Sequence, residues 1–234
     1  MLQICGSKVL FLYNLIMGFN IRERLFMNSN EPNELQVRLQ YIQKKVQAIQ
    51  GWTEDQAGAT LYQLVRFYSP NLNIVELGSW KGRSTIWLGY GIKDKKEPGK
   101  VYAVDTWQGT PGEGAHSDLL KQYNQNQLFE EFQQNVKDNS LENIIVPLVG
   151  DTVDISKSWP RSKSIGLLHI DASHQYEDVK RDFEFWSPFL APNGIIVFDD
   201  VPSWPGPTRL VTELPKWYKQ AGVAPNKLYF IKTT

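Results

Sequence analysis

The sequence lacks three features that would each point to a class of protein. Only one of its 234 residues is a cysteine, Cys5, so an intrachain disulfide framework and a thiolate metal cluster are excluded, and a reducing, cytoplasmic location is expected. The 25 basic and 25 acidic residues balance, which argues against a general electrostatic grip on nucleic acid or an anionic membrane. An apolar run of the roughly 20 residues that span a bilayer is also missing.

Residues 1–30 are predicted to be an extension outside the folded domain. The apolar run over residues 9–19 resembles the hydrophobic part of a signal peptide, but it is not followed by a small-residue cleavage site. The favoured interpretation is a segment that is disordered or not native, ahead of a working start at Met27. A helix that docks on a membrane surface or on a partner is the alternative.

Residues 31–70 are predicted to form a helical cap. Apolar side chains recur every three or four residues from Leu35 to Ile49, which is typical of one helix face. Residues 53–56 (TEDQ) have the form of a capping box that opens a second helix. The first helix either covers the domain or forms a contact between copies in a homo-oligomer.

Residues 71–234 alternate short β-branched apolar runs with helical patterns. The runs begin at residues 74, 101, 144, 165, 194 and 228. Their continuous apolarity indicates strands that are buried on both faces, and the alternation indicates right-handed crossovers. The pattern predicts an α/β domain with a Rossmann-like, doubly wound, mostly parallel sheet of about seven strands and helices on both faces.

Acidic residues stand at the ends of these runs, where ligands bind in such sheets. They are Glu76, Asp105, Asp151, Asp171, Asp199 and Asp200. The first run enters the glycine turn ELGSWKGRS, which is neither a dinucleotide fingerprint nor a P-loop. A carboxylate beside such a turn suits a cation or a hydroxyl donor rather than a phosphate.

The spacing Glu76-x-Gly78-x-x-x-Gly82-x-Ser84 resembles motif I of the class I S-adenosylmethionine (SAM) dependent methyltransferases. The resemblance implies that Asp105 holds the ribose hydroxyls and that Asp151 meets the adenine amino group. The SAM-binding set would comprise Glu76, Gly78, Ser79, Trp80, Gly82, Ser84, Asp105 and Asp151. One departure is that only one clear strand follows Gly222, so the final hairpin of the family is expected to be short or irregular.

A second group of acidic residues indicates a metal-binding site. Asp171 ends the fourth run, and Asp199 with Asp200 ends the fifth, so neighbouring strands would bring three carboxylates together. Such a cluster is costly unless a cation neutralises it, and oxygen ligands favour Mg²⁺, with Mn²⁺ or Ca²⁺ as alternatives. A divalent ion could lower the pKa of an acceptor hydroxyl.

His174 follows Asp171 by three residues and is predicted to be the general base. The alternative is a structural residue at the start of a helix, and His169 is interpreted as a packed core residue. The Asp…His and Asp-Asp pattern resembles metal-dependent bacterial O-methyltransferases of the macrocin, or macrolide-sugar, type. In that interpretation Asp171 is both a metal ligand and part of the catalytic centre.

The resemblance implies an enzyme that transfers a methyl group from SAM to a hydroxyl of a small molecule, either a sugar or a phenolic natural product. Two alternatives stay open: a SAM- or nucleoside-binding regulatory protein, and a sugar-modifying enzyme of another reaction type. The segment 107–125, interpreted as a lid, and the proline-rich segment 201–207 carry no pattern that identifies the acceptor.

Overall fold

The computed structural model describes residues 31–109, 120–121, 123 and 126–234. Their seven strands form one sheet in the order β3-β2-β1-β4-β5-β7-β6. The strands are β1 (Asn73–Leu77), β2 (Lys100–Asp105), β3 (Ile145–Val149), β4 (Ile165–Ile170), β5 (Leu190–Asp199), β6 (Tyr218–Ala224) and β7 (Lys227–Lys232). β1 to β5 are parallel, and β7 is antiparallel to both β5 and β6. The doubly wound, mostly parallel sheet predicted from the sequence is therefore confirmed.

Seven α-helices accompany the sheet in the described residues. They are α1 (Glu31–Val46), α2 (Asp55–Gln63), α3 (Arg83–Lys95), α4 (Gln127–Asp138), α5 (Thr152–Ser158), α6 (Tyr176–Trp186) and α7 (Pro205–Thr212). A π-helical turn (Leu64–Tyr68) follows α2, and a 3₁₀ turn (Ser187–Phe189) follows α6. No helix in the described part of the chain is both long and apolar enough to cross a membrane.

The sheet separates two hydrophobic clusters. One contains Ile42 of α1, Leu61 of α2 and Trp87 of α3 against one sheet face, so the predicted helical cap packs directly into the core of the sheet domain. The other contains Phe183 and Trp186 of α6 against the opposite face. Burial of these side chains fixes the helices and, through them, the loops at the carboxyl edge of the sheet.

One local prediction needs correction, and the structure refines another. The capping box at residues 53–56 does not form, because α2 begins at Asp55 with Glu54 before it, and the Glu54 side chain makes no capping hydrogen bond. The final hairpin, expected to be short or irregular, is irregular but not short: β6 pairs with β7 along its length, with a register shift between Gln220 and Gly222. β6 escaped sequence analysis because YKQAGVA mixes polar and small residues, as an edge strand does.

Two further predictions concern parts of the chain outside the described residues. One is the extension over residues 1–30, with its disordered, non-native and docking-helix alternatives. The other is the lid over residues 107–125, of which residues 110–119, 122, 124 and 125 lie outside.

The order of the strands determines where a ligand can bind. β1 lies between β2 and β4, so the chain winds in one direction through β2 and β3 and in the other through β4 and β5. Ligands in such sheets bind in the crevice beyond the carboxyl ends of the strands at this switch point.

Candidate active site

A cavity of about 820 Å³ opens at the carboxyl edge of the sheet. Its volume lies in the range of small-molecule and cofactor sites. Ten of the site residues predicted from the sequence line it: Gly78, Ser79, Trp80, Ser84, Asp105, Asp151, Asp171, His174, Asp199 and Asp200. Two others, Glu76 and Gly82, do not.

Two glycines shape the loop between β1 and α3. Gly78 has φ +84°, and a β-carbon there would lie 2.1 Å from the carbonyl oxygen of Asp171, so glycine allows β1 and β4 to end side by side. Gly82 has φ +89° directly before α3, and its N–H donates to the Ser79 carbonyl at 2.7 Å. The motif I glycines therefore close a tight turn, which starts α3 at the cavity.

Glu76 does not line the cavity. It is fully buried beneath the loop, where its carboxylate accepts a hydrogen bond from Ser79 Oγ at 2.8 Å and another from Thr85 Oγ1. Its other oxygen lies 3.2 Å from His169 Nδ1. The Glu76 side chain therefore holds the loop from below, because burial requires that each oxygen find a partner, and its direct contact with SAM stays a prediction.

Asp105 both lines the cavity and ties down the same loop. Its Oδ2 accepts hydrogen bonds from the N–H groups of Ser79 and Trp80, each at 2.8 Å, and its Oδ1 accepts one from the N–H of Trp107 at 2.7 Å. Burial raises the pKa of this carboxyl, against the three N–H donors that lower it. Sequence analysis assigned Asp105 only to cofactor binding. The structure shows that it also anchors the loop between β1 and α3.

Asp151 lies at the exposed start of α5. Its Oδ1 accepts hydrogen bonds from the N–H groups of Val153 (2.9 Å) and Asp154 (3.1 Å), which makes it the N-cap of that helix. It also lines the cavity, so capping and adenine recognition are compatible roles for one carboxylate.

Asp182 of α6 is a cavity residue that sequence analysis missed. Thr152 Oγ1 donates to its Oδ1 at 2.5 Å, and burial, with smaller contributions from Asp151 and Asp178, raises its pKa to about 7. The available signal was an acidic residue on the otherwise apolar face of α6, one residue before Phe183.

Aromatic side chains stand at both ends of the cavity. The rings of Trp52 and Trp80 lie 5.5 Å apart at one end. At the other end Trp204 stacks on His174, with ring centroids 4.2 Å apart and planes at 7°. Trp52 and Trp204 are exposed at the rim, whereas Trp107 packs into the core beside Phe132.

The three carboxylates predicted to bind a metal do not point at one place. Asp200 has φ +60°, and its Oδ1 accepts a hydrogen bond from Asn226 Nδ2 at 2.6 Å. Its Oδ2 lies 2.5 Å from His174 Nε2. Asp200 is therefore the partner of His174, while Asp171 and Asp199 remain together at the ends of β4 and β5.

A buried lysine and a buried histidine complete the group around Asp171 and Asp199. Lys227 Nζ contacts Asp199 Oδ2, and His169 Nε2 lies 3.7 Å from Asp199 Oδ2 and 4.0 Å from Asp171 Oδ2. Sequence analysis missed Lys227 as a site residue and took His169 for simple core packing. The signal for His169 was its register opposite Glu76, which only sheet pairing reveals.

Charge balance in this group follows from the pKa directions. Burial alone would raise the pKa of Asp199, but the Lys227 ammonium and His169 hold it well below its usual range. Burial together with the Asp199 charge raises the pKa of Asp171 well above its usual range. Burial lowers the pKa of Lys227, yet Asp199 and Asp171 outweigh it and the pKa is raised. Asp199 and Lys227 therefore form an ion pair.

The arrangement does not fit the three-carboxylate metal site predicted from the sequence. The described residues whose ligand atoms lie within 4.8 Å of one another are His169, Asp171 and Asp199. Asp200 is turned to His174 and Asn226, and Lys227 Nζ contacts Asp199 Oδ2. A divalent ion bound there would be repelled by that ammonium.

The residues of the cavity suit SAM better than they suit a divalent metal. SAM carries a positive charge on sulfur and a second on its amino group, and it offers ribose hydroxyls and an adenine amino group as donors. The cavity presents carboxylates to such donors at Asp105 and Asp151, and the start of α3 brings Ser84 beside them.

Comparison with known proteins identifies the family. Residues 75–201 match the family model described as a methyltransferase domain. The chain belongs to this methyltransferase family. A curated relative, the uncharacterised protein y4gI of Sinorhizobium fredii, is 31% identical over 129 residues, which are 54% of this chain and 13% of the relative. The methyltransferase thus matches a small part of that longer protein.

Solved structures share the fold. The O-methyltransferase TomG from Streptomyces achromogenes, solved with SAM, has a TM-score of 0.59 and 15% identity, covering 90% of this chain and 93% of TomG. An O-methyltransferase from Bacillus cereus, solved with S-adenosylhomocysteine, has a TM-score of 0.52 and 17% identity, covering 91% and 95%. The family match confirms the predicted methyltransferase domain, and these structures share its predicted Rossmann-like sheet.

Proposed function

We propose that this methyltransferase transfers a methyl group from SAM to a hydroxyl oxygen of a small molecule, a sugar or a phenolic compound. The observation that carries the proposal is the His174–Asp200 pair at the cavity wall, stacked on Trp204. An imidazole beside a carboxylate can accept a proton from a hydroxyl, and the flat Trp204 ring offers a surface for a sugar or an aromatic ring.

In the proposal, SAM occupies the part of the cavity beyond β1, β2 and β3. Asp105 takes the ribose hydroxyls, Asp151 the adenine amino group, and Ser84 at the start of α3 the methionine end, with Ser79 and Trp80 as the loop that faces them. The rigid anchoring of this loop by Asp105 and Glu76 supports the assignment, because a preformed site loses little entropy on binding.

When bound, SAM supplies a methyl group on positively charged sulfur, so the bond from carbon to sulfur breaks as the bond from carbon to the acceptor oxygen forms, and the electron pair stays on sulfur. The hydroxyl proton passes to His174, and Asp200 stabilises the resulting imidazolium. Residues at both ends of the cavity hold donor and acceptor in line, which contributes by positioning.

The chemistry of the cavity also supports a small, uncharged acceptor. Its described lining contains two arginines, Arg83 and Arg181, and seven aspartates: Asp105, Asp151, Asp171, Asp178, Asp182, Asp199 and Asp200. Even with Asp199 paired to Lys227 and the pKa of Asp171 and Asp182 raised, the other four carboxylates outnumber the arginines, which disfavours phosphates, so we do not expect a nucleic acid or a nucleotide-linked acceptor. A sugar glycoside or a phenol meets no such repulsion.

Assistance by Mg²⁺, which the sequence pattern favours, stays a prediction and is no part of this proposal. So do the cytoplasmic location and a homo-oligomer formed through the N-terminal helices.

The test has two stages. Calorimetry with SAM and with S-adenosylhomocysteine should show one site per chain. A panel of glycosides, phenols and nucleotide sugars is then screened for release of S-adenosylhomocysteine, and turnover is expected with a member of the first two groups. Turnover confined to nucleotide sugars, or to acceptors with a nitrogen nucleophile, would contradict the proposal.

A further inference from the structure

The candidate metal centre already contains a cation. Lys227 begins β7, and antiparallel pairing with β5 places it directly opposite Asp199. Both side chains are buried: Lys227 is 2% exposed and Asp199 8% exposed. A lysine is rarely buried to this degree unless its ammonium has a counter-charge, because removing an ion from water costs several kcal/mol.

That ammonium contacts one of the three residues that could hold a metal. The only described set of three groups able to hold an ion together is His169, Asp171 and Asp199, and Lys227 Nζ contacts the Oδ2 atom of Asp199. A divalent ion at this carboxylate would lie within a few Å of the ammonium, and two cations at that separation in a buried site repel each other strongly.

The third predicted ligand is also engaged elsewhere. Both Asp200 oxygens have partners, Asn226 Nδ2 on one and His174 Nε2 on the other. Asn226 directly precedes Lys227, so the same turn between β6 and β7 supplies the partner of Asp200 and the partner of Asp199. One hairpin thereby satisfies both carboxylates at the end of β5.

We propose that Lys227 is the resident cation of this centre and takes the place that a divalent metal holds in metal-dependent O-methyltransferases. It acts as a positioning residue: it fixes Asp199, and through Asp199 the neighbouring Asp171. Both lie at the end of the cavity beyond β4, β5 and β7, where the acceptor would bind and which we call the acceptor end. The enzyme then needs no divalent metal. This inference rests on the proposed function for the identity of the acceptor end, but its charge argument does not.

The experiment measures Mn²⁺ binding by electron paramagnetic resonance and, in parallel, the shift of the unfolding temperature with Mg²⁺. The wild-type protein should show no saturable Mn²⁺ site up to about millimolar concentration and no Mg²⁺-dependent shift. Lys227→Met, which keeps the length of the side chain but removes the charge, should gain a Mn²⁺ site that binds at least about tenfold more tightly. Lys219→Met, on the exposed part of β6, is the matched control and should behave as wild type.

Two results would overturn the proposal. One is a saturable Mn²⁺ site in the wild-type protein that Asp171→Asn or Asp199→Asn removes. The other is a folded Lys227→Met variant that gains no Mn²⁺ binding. If circular dichroism shows that Lys227→Met does not fold, the wild-type titration alone decides. Calorimetry with SAM on the same samples distinguishes failure of this proposal from failure of the proposed function. If the wild-type protein does not bind SAM, the proposed function is contradicted, and the Mn²⁺ result still tests the role of Lys227.

Discussion

The two ends of the cavity are built on different principles. At the donor end, beyond β1, β2 and β3, carboxylates face backbone N–H groups: Asp105 accepts three of them and Asp151 caps α5. At the acceptor end, beyond β4, β5 and β7, carboxylates face side chains that carry or can carry positive charge, Lys227 and the two histidines. Backbone donors make a rigid site for a fixed cofactor, whereas ionisable partners can move protons.

Loss of the base should give the largest effect on activity. His174→Ala removes the proposed acceptor of the hydroxyl proton, so turnover should fall by about 10²–10⁴-fold while SAM affinity stays within about twofold. Single-turnover assays and calorimetry measure the two quantities. Partial recovery of the rate at high pH, where hydroxide can replace the imidazole, would support the assignment. A variant that instead lost SAM binding would place His174 at the donor end.

Breaking the ion pair should give the largest effect on stability. Asp199→Asn leaves the Lys227 ammonium buried without its main counter-charge, so the free energy of unfolding should fall by about 3–5 kcal/mol. The double variant Asp199→Asn with Lys227→Met removes both charges and should recover most of the loss. Urea unfolding of the four proteins forms a double-mutant cycle. Additive effects of the two changes would show that the pair contributes no coupling.

At the donor end, the main expected effect is on the affinity for SAM. Asp105→Ala removes the proposed acceptor of the ribose hydroxyls, which corresponds to about 1.5–3 kcal/mol and a SAM affinity lower by about ten- to a hundredfold. It also releases three backbone N–H groups of the cavity loops, so some loss of stability is expected. Asp138→Ala, exposed at the end of α4, is the control. Unchanged affinity in a folded Asp105→Ala protein would remove Asp105 from the cofactor site.

Asp182, at the donor end, should make the free energy of unfolding depend on pH. Its pKa in the folded protein, about 7, lies above the ordinary value of 3.8, because burial disfavours the charged form. Between these values the unfolded chain has released the proton and the folded protein has kept it, so stability falls as pH rises, by about 1.4 kcal/mol per unit at most. The slope should end above about pH 7.

Asp182→Asn should remove this fall of the free energy of unfolding with rising pH. Urea unfolding between about pH 5 and pH 8 measures the difference, with the exposed Asp138→Asn as control. Parallel curves for Asp182→Asn and wild type would mean that the carboxyl is ionised throughout.

The smallest effect is expected from removing residues 1–26. The described strands and cavity lining include none of these residues, so we expect a chain that begins at Met27 to be soluble, fold and bind SAM with unchanged affinity. Size-exclusion chromatography and calorimetry check this. Aggregation of the shortened chain, with the full chain well behaved, would show that the segment contributes to the core or to a contact between copies.

Local patterns in the sequence were enough to predict the mostly parallel sheet and to place Asp105 and Asp151 at its carboxyl edge. The buried strands are continuous apolar runs, and motif I is one contiguous segment whose glycines have a conformational reason, as at Gly78. Asp105 ends β2 and Asp151 stands two residues after the end of β3, so their arrival at one sheet edge follows from parallel pairing alone. The family resemblance that these residues carry therefore depends on residue types and their spacing along the chain.

Only the tertiary structure decided the charge balance at the acceptor end. Lys227 is 28 positions from Asp199 along the chain, and it meets Asp199 because β7 returns antiparallel to β5 in one particular register. A shift of one residue would turn Lys227 to the other face of the sheet. The burial of Glu76 and the turn of Asp200 towards His174 likewise depend on packing and on backbone angles, which residue types and their spacing do not encode.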